Sequence, residues 1–151
     1  MPTITEKTRK KIEEEFNNWI EHQYAGKTLE ERQELGQFFT PPDLTIEMLE
    51  KFKDLDGSII DPTAGCGGLL AACIIAGADP KQIYGIELDP VILDLCRQRL
   101  EKLGVPKYNI HLGSALNPDC WDHFTEDYSY DIPTDRVRIK GRNLFSFGFQ
   151  R

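Results

Sequence analysis

The stretch "SIIDPTAGCGGLLAACIIAG", residues 58–77, decides the fold. Its first four residues are a short apolar run ending in an acid. Glycines at 65, 67 and 68 follow, and then an apolar, small-residue segment closes at Gly77. This reads as a strand, a tight glycine loop and a helix. The pattern then repeats. "QIYGIELD" is a second strand, and Asp89-Pro90 is a natural helix start with proline in the first turn. That helix runs to Leu103 and Gly104, and "YNIHLGSAL" is a third strand. Strand-helix-strand-helix-strand with short links predicts an α/β domain with a parallel sheet core and right-handed crossovers. Ligands in such folds bind beyond the carboxyl ends of the strands.

Upstream the pattern is helical. Residues 5–24 place Ile12, Phe16, Trp19, Ile20 and Tyr24 on one face at spacings of three and four. Thr28 and Glu31 form a capping box for a short second helix ending near Leu35. "GQFFTPP", 36–42, is a Gly- and Pro-bounded segment without helical period, and Asp43 is placed to cap a third helix that turns Leu44, Met48, Leu49 and Phe52 inward. Downstream, "NPDCWDHFTEDYSYDIPTD" is acidic, aromatic and turn-rich. In "RVRIKGRNLFSFGFQ", 136–150, Val137, Ile139, Phe145, Phe147 and Phe149 share one parity, and Arg136, Arg138, Lys140 and Arg142 the other. That is an amphipathic strand or hairpin.

The chain has 151 residues, 40% of them hydrophobic, and a formal net charge of -7. A generic nucleic-acid coat is not indicated, although charge distribution matters more than its sum. The charged N-terminus has no apolar signal core, and no apolar run is long enough to span a bilayer. Cys66, Cys73, Cys96 and Cys120 form no C-x-x-C pair and read as reduced, packed thiols in a cytoplasmic protein without a metal site. His22, His111 and His123 lack metal-like spacing and read as structural or surface residues.

The chemistry of the loop narrows the ligand. Glycine lets a ligand approach the backbone without meeting a side chain. Glu87, at the end of the second strand, is placed to accept both ribose hydroxyls of an adenosine. A dinucleotide fingerprint needs G-x-G-x-x-G; Gly65 and Gly67 fit, but residue 70 is Leu. Asp61 would repel a pyrophosphate and attract a cation. S-adenosylmethionine carries a sulfonium and an ammonium and no phosphate, so the Asp61 carboxylate suits it. The competing structural reading is a tight strand-to-helix turn with a capping acid.

"GQFFTPP", "DPTAGCGG" and "GIELDP", in that order, resemble the start of the N6-adenine DNA methyltransferases whose cofactor motif precedes the catalytic one. The resemblance covers about residues 30–116 and implies a Rossmann-like class I methyltransferase fold with an N-terminal helical extension. It implies that Phe38, Phe39 and Thr40 cover the methionine end of S-adenosylmethionine. It assigns the loop contacts to Asp61, Pro62, Ala64, Gly65 and Gly67, and the ribose to Glu87. Ile86 and Leu88 would flank the adenine. Ser114 stands where the family usually has an acid near the adenine amino group.

The family's second motif, Asn/Asp-Pro-Pro-Tyr/Phe, orients the target amine and stacks the flipped base. It is absent. "NPDC", 117–120, follows the third strand too closely, and Trp121 reads as core or surface packing. In "NLFSFGF", 143–149, Asn143 stands for the polar group and Phe145 for the ring, with Leu144 in place of the first Pro; a terminal amphipathic strand is the alternative. The family's sheet has seven strands, and this chain reads as a truncated version. Residues 1–35 form N-terminal helices and 36–151 the S-adenosylmethionine-binding unit. Two functions stand beside each other: a DNA adenine methyltransferase, or an inactive or split methyltransferase-like protein that binds the cofactor and regulates or partners another protein. DNA is the partner the resemblance implies. The alternating Phe residues predict pairing of the C-terminal strand with a second copy or another protein.

Overall fold

The structure, a computed structural model, describes residues 3–24, 27–34, 39–52, 54–124, 130–131, 138–139 and 143–144. Helices α1 (Glu6–Tyr24), α2 (Leu29–Glu34) and α3 (Pro42–Leu49) precede strand β1 (Ile59–Asp61). Then come α4 (Gly68–Ile75), β2 (Ile83–Glu87), α5 (Pro90–Glu101) and β3 (Ile110–Leu112). Short strands β4 (Tyr130–Asp131), β5 (Arg138–Ile139) and β6 (Asn143–Leu144) follow. The main sheet has the order β3-β2-β1-β6 and all its pairs are parallel. This is the α/β, Rossmann-like architecture expected from residues 58–116. β4 and β5 pair antiparallel in a separate ribbon, so the basic-and-aromatic end contributes both a hairpin strand and a sheet strand.

The two faces of the sheet bury different clusters because side chains alternate along a strand. Ile59, Ile83 and Ile110 face α4 and α5, together with Leu70, Ala71, Cys73, Leu93, Cys96 and Leu100. Ile60, Tyr84 and Ile86 face the other way, onto Cys120 and Trp121. Trp121 is buried and donates its indole N–H to the Ala115 carbonyl at 2.9 Å, which makes it a core residue. All four cysteines are free and buried.

Local signals mostly decide the helix starts. Thr28 and Glu31 make the reciprocal capping box, with N–H to side-chain oxygen distances of 2.8 and 3.1 Å. The Asp89 side chain caps α5 by accepting from the N–H groups of Val91 and Ile92. Asp43, by contrast, lies in the first turn of α3; Pro42 opens that helix and Pro41 precedes it. With the helix shifted by one residue, Leu44 faces outward and Thr45, Ile46 and Leu49 are the buried positions. Ile20 is likewise exposed, whereas Ile12 carries the buried face of α1.

Helix α4 is apolar on nearly every side because it is enclosed by β1, α1, α3 and α5. Leu70, fully buried on it, has little room for its surroundings to collapse. Leu70→Ala is expected to lower unfolding free energy by about 3 kcal/mol, read from urea denaturation.

Candidate functional site

Three loops leave the carboxyl ends of β1, β2 and β3 and meet at Glu87. The Ala64 N–H donates to the Ile86 carbonyl at 2.8 Å. The Gly65 N–H donates to Glu87 Oε1 at 3.1 Å, and the Asp89 N–H to Glu87 Oε2 at 2.8 Å. The Glu87 carbonyl accepts the Gly113 N–H at 2.9 Å. Each Glu87 carboxylate oxygen therefore already accepts one amide, and each has a further lone pair to offer a hydroxyl donor.

The glycines are dictated by shape. Gly65 and Gly67 have φ of 57° and 82°, backbone that side-chain-bearing residues rarely adopt. A Cβ on Gly67 would stand 3.0 Å from Cys96 Sγ and 3.1 Å from Leu100 Cγ. A Cβ on Gly65 would stand 3.5 Å from the Phe39 ring. Phe39 of the "GQFFTPP" segment thus lies against the loop, and the chain's exit into α3 is fixed where the Thr45 N–H and hydroxyl both donate to the Pro41 carbonyl at 3.0 Å. Phe39 and Thr40 are half-buried; Phe38 lies outside the described residues.

Asp61 ends β1 and is 2% exposed. Its Oδ1 accepts from the Thr63 N–H at 2.9 Å and the Thr63 hydroxyl at 3.3 Å. Burial pushes its carboxyl up to about 6, against the opposing effect of the Thr63 donors, and the nearby Glu87 charge adds a smaller upward push. A cation beside it would reverse that shift. Pro62, Ala64 and Gly67 are buried within the same turn. At the far side of the site Leu88 is 69% exposed, whereas Ile86 is fully buried on the Trp121 face. Only Leu88 of that pair is open to a ligand. Ser114 follows β3, and its hydroxyl oxygen accepts the Leu116 N–H at 3.3 Å.

The structure thus gathers Phe39, Asp61, Gly65 and Glu87 around one turn. It does not bring Asn143 to that edge. Asn143 pairs in register with Ile59, the first residue of β1, two residues before Asp61, which is about 6–7 Å down the strand. Phe145 lies outside the described residues.

Two charged residues escaped sequence reasoning. Arg99 on α5 is 1% exposed and is held by Glu15 of α1, with Nε 2.9 Å from both carboxylate oxygens and Nη2 also donating to Oε1. Lys27 pairs with Asp89 at 3.3 Å. For Arg99 a signal existed: it lies three and seven residues after Cys96 and Ile92, so a charge stands on an apolar face.

A family model for N-6 DNA methylases matches residues 5–132. The chain is 35% identical over 100 residues to Type II methyltransferase M.VspI of Vibrio sp. (strain 343), an alignment covering 64% of this chain and 24% of that protein. It is 30% identical over 89 residues to Type II methyltransferase M.NspV of Nostoc sp. (strain ATCC 29411 / PCC 7524), covering 57% and 18%. A shorter match, 41% over 63 residues, covers 42% of this chain and 20% of Ribosomal RNA small subunit methyltransferase H of a Nitratiruptor species. The chain therefore spans a quarter or less of the length of these curated relatives.

The buried Asp61 makes stability depend on pH. Its folded value near 6 exceeds its ordinary value of 3.8. Below 3.8 both states hold the proton and there is no penalty. As pH rises through about 6 the folded chain must give it up, and stability falls by about 3 kcal/mol. Asp61→Asn keeps an acceptor for Thr63 and removes the charge. It is expected to raise the unfolding free energy at pH 7 by up to that amount. The gain should vanish below pH 4, as checked by denaturant titration across pH.

Proposed function

We propose, from the premise that the chain belongs to the N-6 DNA methylase family, that it binds S-adenosylmethionine over the carboxyl ends of β1 and β2 and serves methylation of the adenine amine in DNA. The observation that carries this reading is the convergence of Asp61, Gly65 and Glu87 beneath the Phe39 ring. The buried carboxylate of Asp61 gives the cofactor's cationic end a partner. The open lone pairs of Glu87 receive the ribose hydroxyls. The positive φ values of Gly65 and Gly67 leave the turn free of side-chain bulk on that side. Pro62 and Ala64 shape the turn, Phe38 and Thr40 complete the cover begun by Phe39, Leu88 packs on the adenine, and the Ser114 hydroxyl donates to it. Bound there, the cofactor supplies a methyl group already activated by the sulfonium charge.

On the acceptor side we assign Asn143 and Phe145 to the target amine and base. A second copy or another protein pairs with the C-terminal strand. A cytoplasmic setting agrees with four free, buried thiols. No described helix is long and apolar enough to cross a membrane.

Titration calorimetry with S-adenosylmethionine, followed by tritiated methyl transfer to unmethylated DNA, tests this reading. Binding is expected for the wild type, weakened about tenfold or more by Glu87→Gln, which loses the charge-assisted acceptor. Because the cation favours ionised Asp61, binding should release a proton, and affinity should fall by up to about tenfold per pH unit below about 6. Asp61→Asn should abolish that pH dependence. Absence of binding overturns the cofactor assignment; binding without transfer removes the acceptor assignment and leaves a cofactor-binding module.

A further inference from the structure

The glycine loop rests on a residue that no loop motif contains. The Arg99 guanidinium lies directly under it. Arg99 Nη1 is 3.5 Å from the Cys66 carbonyl oxygen, the outer limit of a hydrogen bond. It also packs under Gly68, where an added Cβ would stand 3.6 Å from the same nitrogen. Cys66 is the residue between the two left-handed glycines, Gly65 and Gly67. A cation 1% exposed needs a counter-charge. Glu15 provides it from α1, eighty-four residues away in sequence, with a forked, multiply hydrogen-bonded contact. One turn further along both helices, the Lys102 ammonium stands 5.0 Å from the Trp19 ring centroid, so the two contacts set the rotation of α1 against α5 together.

We propose that Glu15, acting through Arg99, is a positioning residue for the glycine loop, so that the N-terminal helix is part of the cofactor site. The planar fork of Arg99 is held in one orientation by Glu15 and presents Nη1 to the Cys66 carbonyl. That carbonyl belongs to the peptide leading into Gly67, whose positive φ bears on its direction. Release of the fork lets the 64–68 turn sample other conformations and turns the Gly65 N–H away from Glu87. The effect on cofactor affinity rests on the S-adenosylmethionine reading above; the effect on the loop does not.

The test is the double variant Glu15→Met/Arg99→Met, which removes both charges together and leaves no unpaired ion in the core. Hydrogen–deuterium exchange of the peptide covering 62–68 is compared with that of the β2 peptide, 83–87. Exchange in the loop is expected to rise about tenfold or more while β2 stays protected and the melting temperature is held. In the same preparation, S-adenosylmethionine affinity is expected to drop about tenfold. Unchanged loop exchange in a folded variant overturns the proposal, since a merely structural pair would move the melting temperature and not the loop. Failure of the wild type to bind the cofactor sinks the cofactor reading, and the exchange measurement still decides the pair. If the double variant does not fold, Arg99→Lys keeps the charge against Glu15 and removes the fork; it is expected to loosen the same peptide, and unaltered exchange there overturns the proposal equally.

Discussion

The geometry of the whole site depends on the Glu87 carboxylate. Its two oxygens accept amides from the loop after β1 and from the start of α5, and its own carbonyl accepts an amide after β3. The loops after three consecutive strands are therefore tied to one residue at the carboxyl edge of the sheet. Backbone amides there have no ladder partner, since the strands have ended, and would be costly to leave unpaired near the core. An acid at this position resolves that problem before any ligand arrives. It also retains acceptor capacity, so one side chain serves both the turn and the proposed ribose contact.

The same edge holds two buried charges of opposite sign and different status. Arg99 is matched by Glu15 at close range. Among the described residues Asp61 is met by neutral donors, the Thr63 amide and hydroxyl, and burial drives its carboxyl up to about 6. A matched buried pair contributes mainly to fixing geometry, because desolvation offsets much of its attraction. An unmatched carboxylate costs stability outright and is tolerated where a cationic ligand restores the balance. This difference separates the residue that shapes the loop from the residue proposed to meet the cofactor.

Membership in the N-6 DNA methylase family accounts for residues 5–132, and residues 133–151 lie beyond the matched span. The family model ends at residue 132, just beyond the ribbon strand β4, whereas β6 joins the sheet alongside β1. That position beside β1 is where a parallel sheet of this order grows next. The register sets Asn143 level with Ile59, two residues before Asp61 on the neighbouring strand.

Much was legible from residues 58–116 alone. The alternation of apolar runs with Gly65, Gly67, Gly77 and Gly104 marked the strand and helix ends, because glycine answers a local steric demand that does not depend on the rest of the fold. Asp89-Pro90 and Thr28/Glu31 were readable for the same reason: a cap satisfies amides within three residues of itself. Tertiary structure decided what spans long separations. Glu15 meets Arg99 across eighty-four residues and Lys27 meets Asp89 across sixty-two. No periodicity encodes such pairs: the place of Arg99 on an apolar helix face hints at its burial and does not name Glu15 as its partner. Packing also chose between neighbours of equal hydrophobicity, burying Ile46 and Ile86 and leaving Leu44 and Leu88 exposed. One residue of phase in α3 buries Ile46 rather than Leu44, and only the packed neighbours set that phase, whereas Leu88 is exposed because it lies past the end of β2.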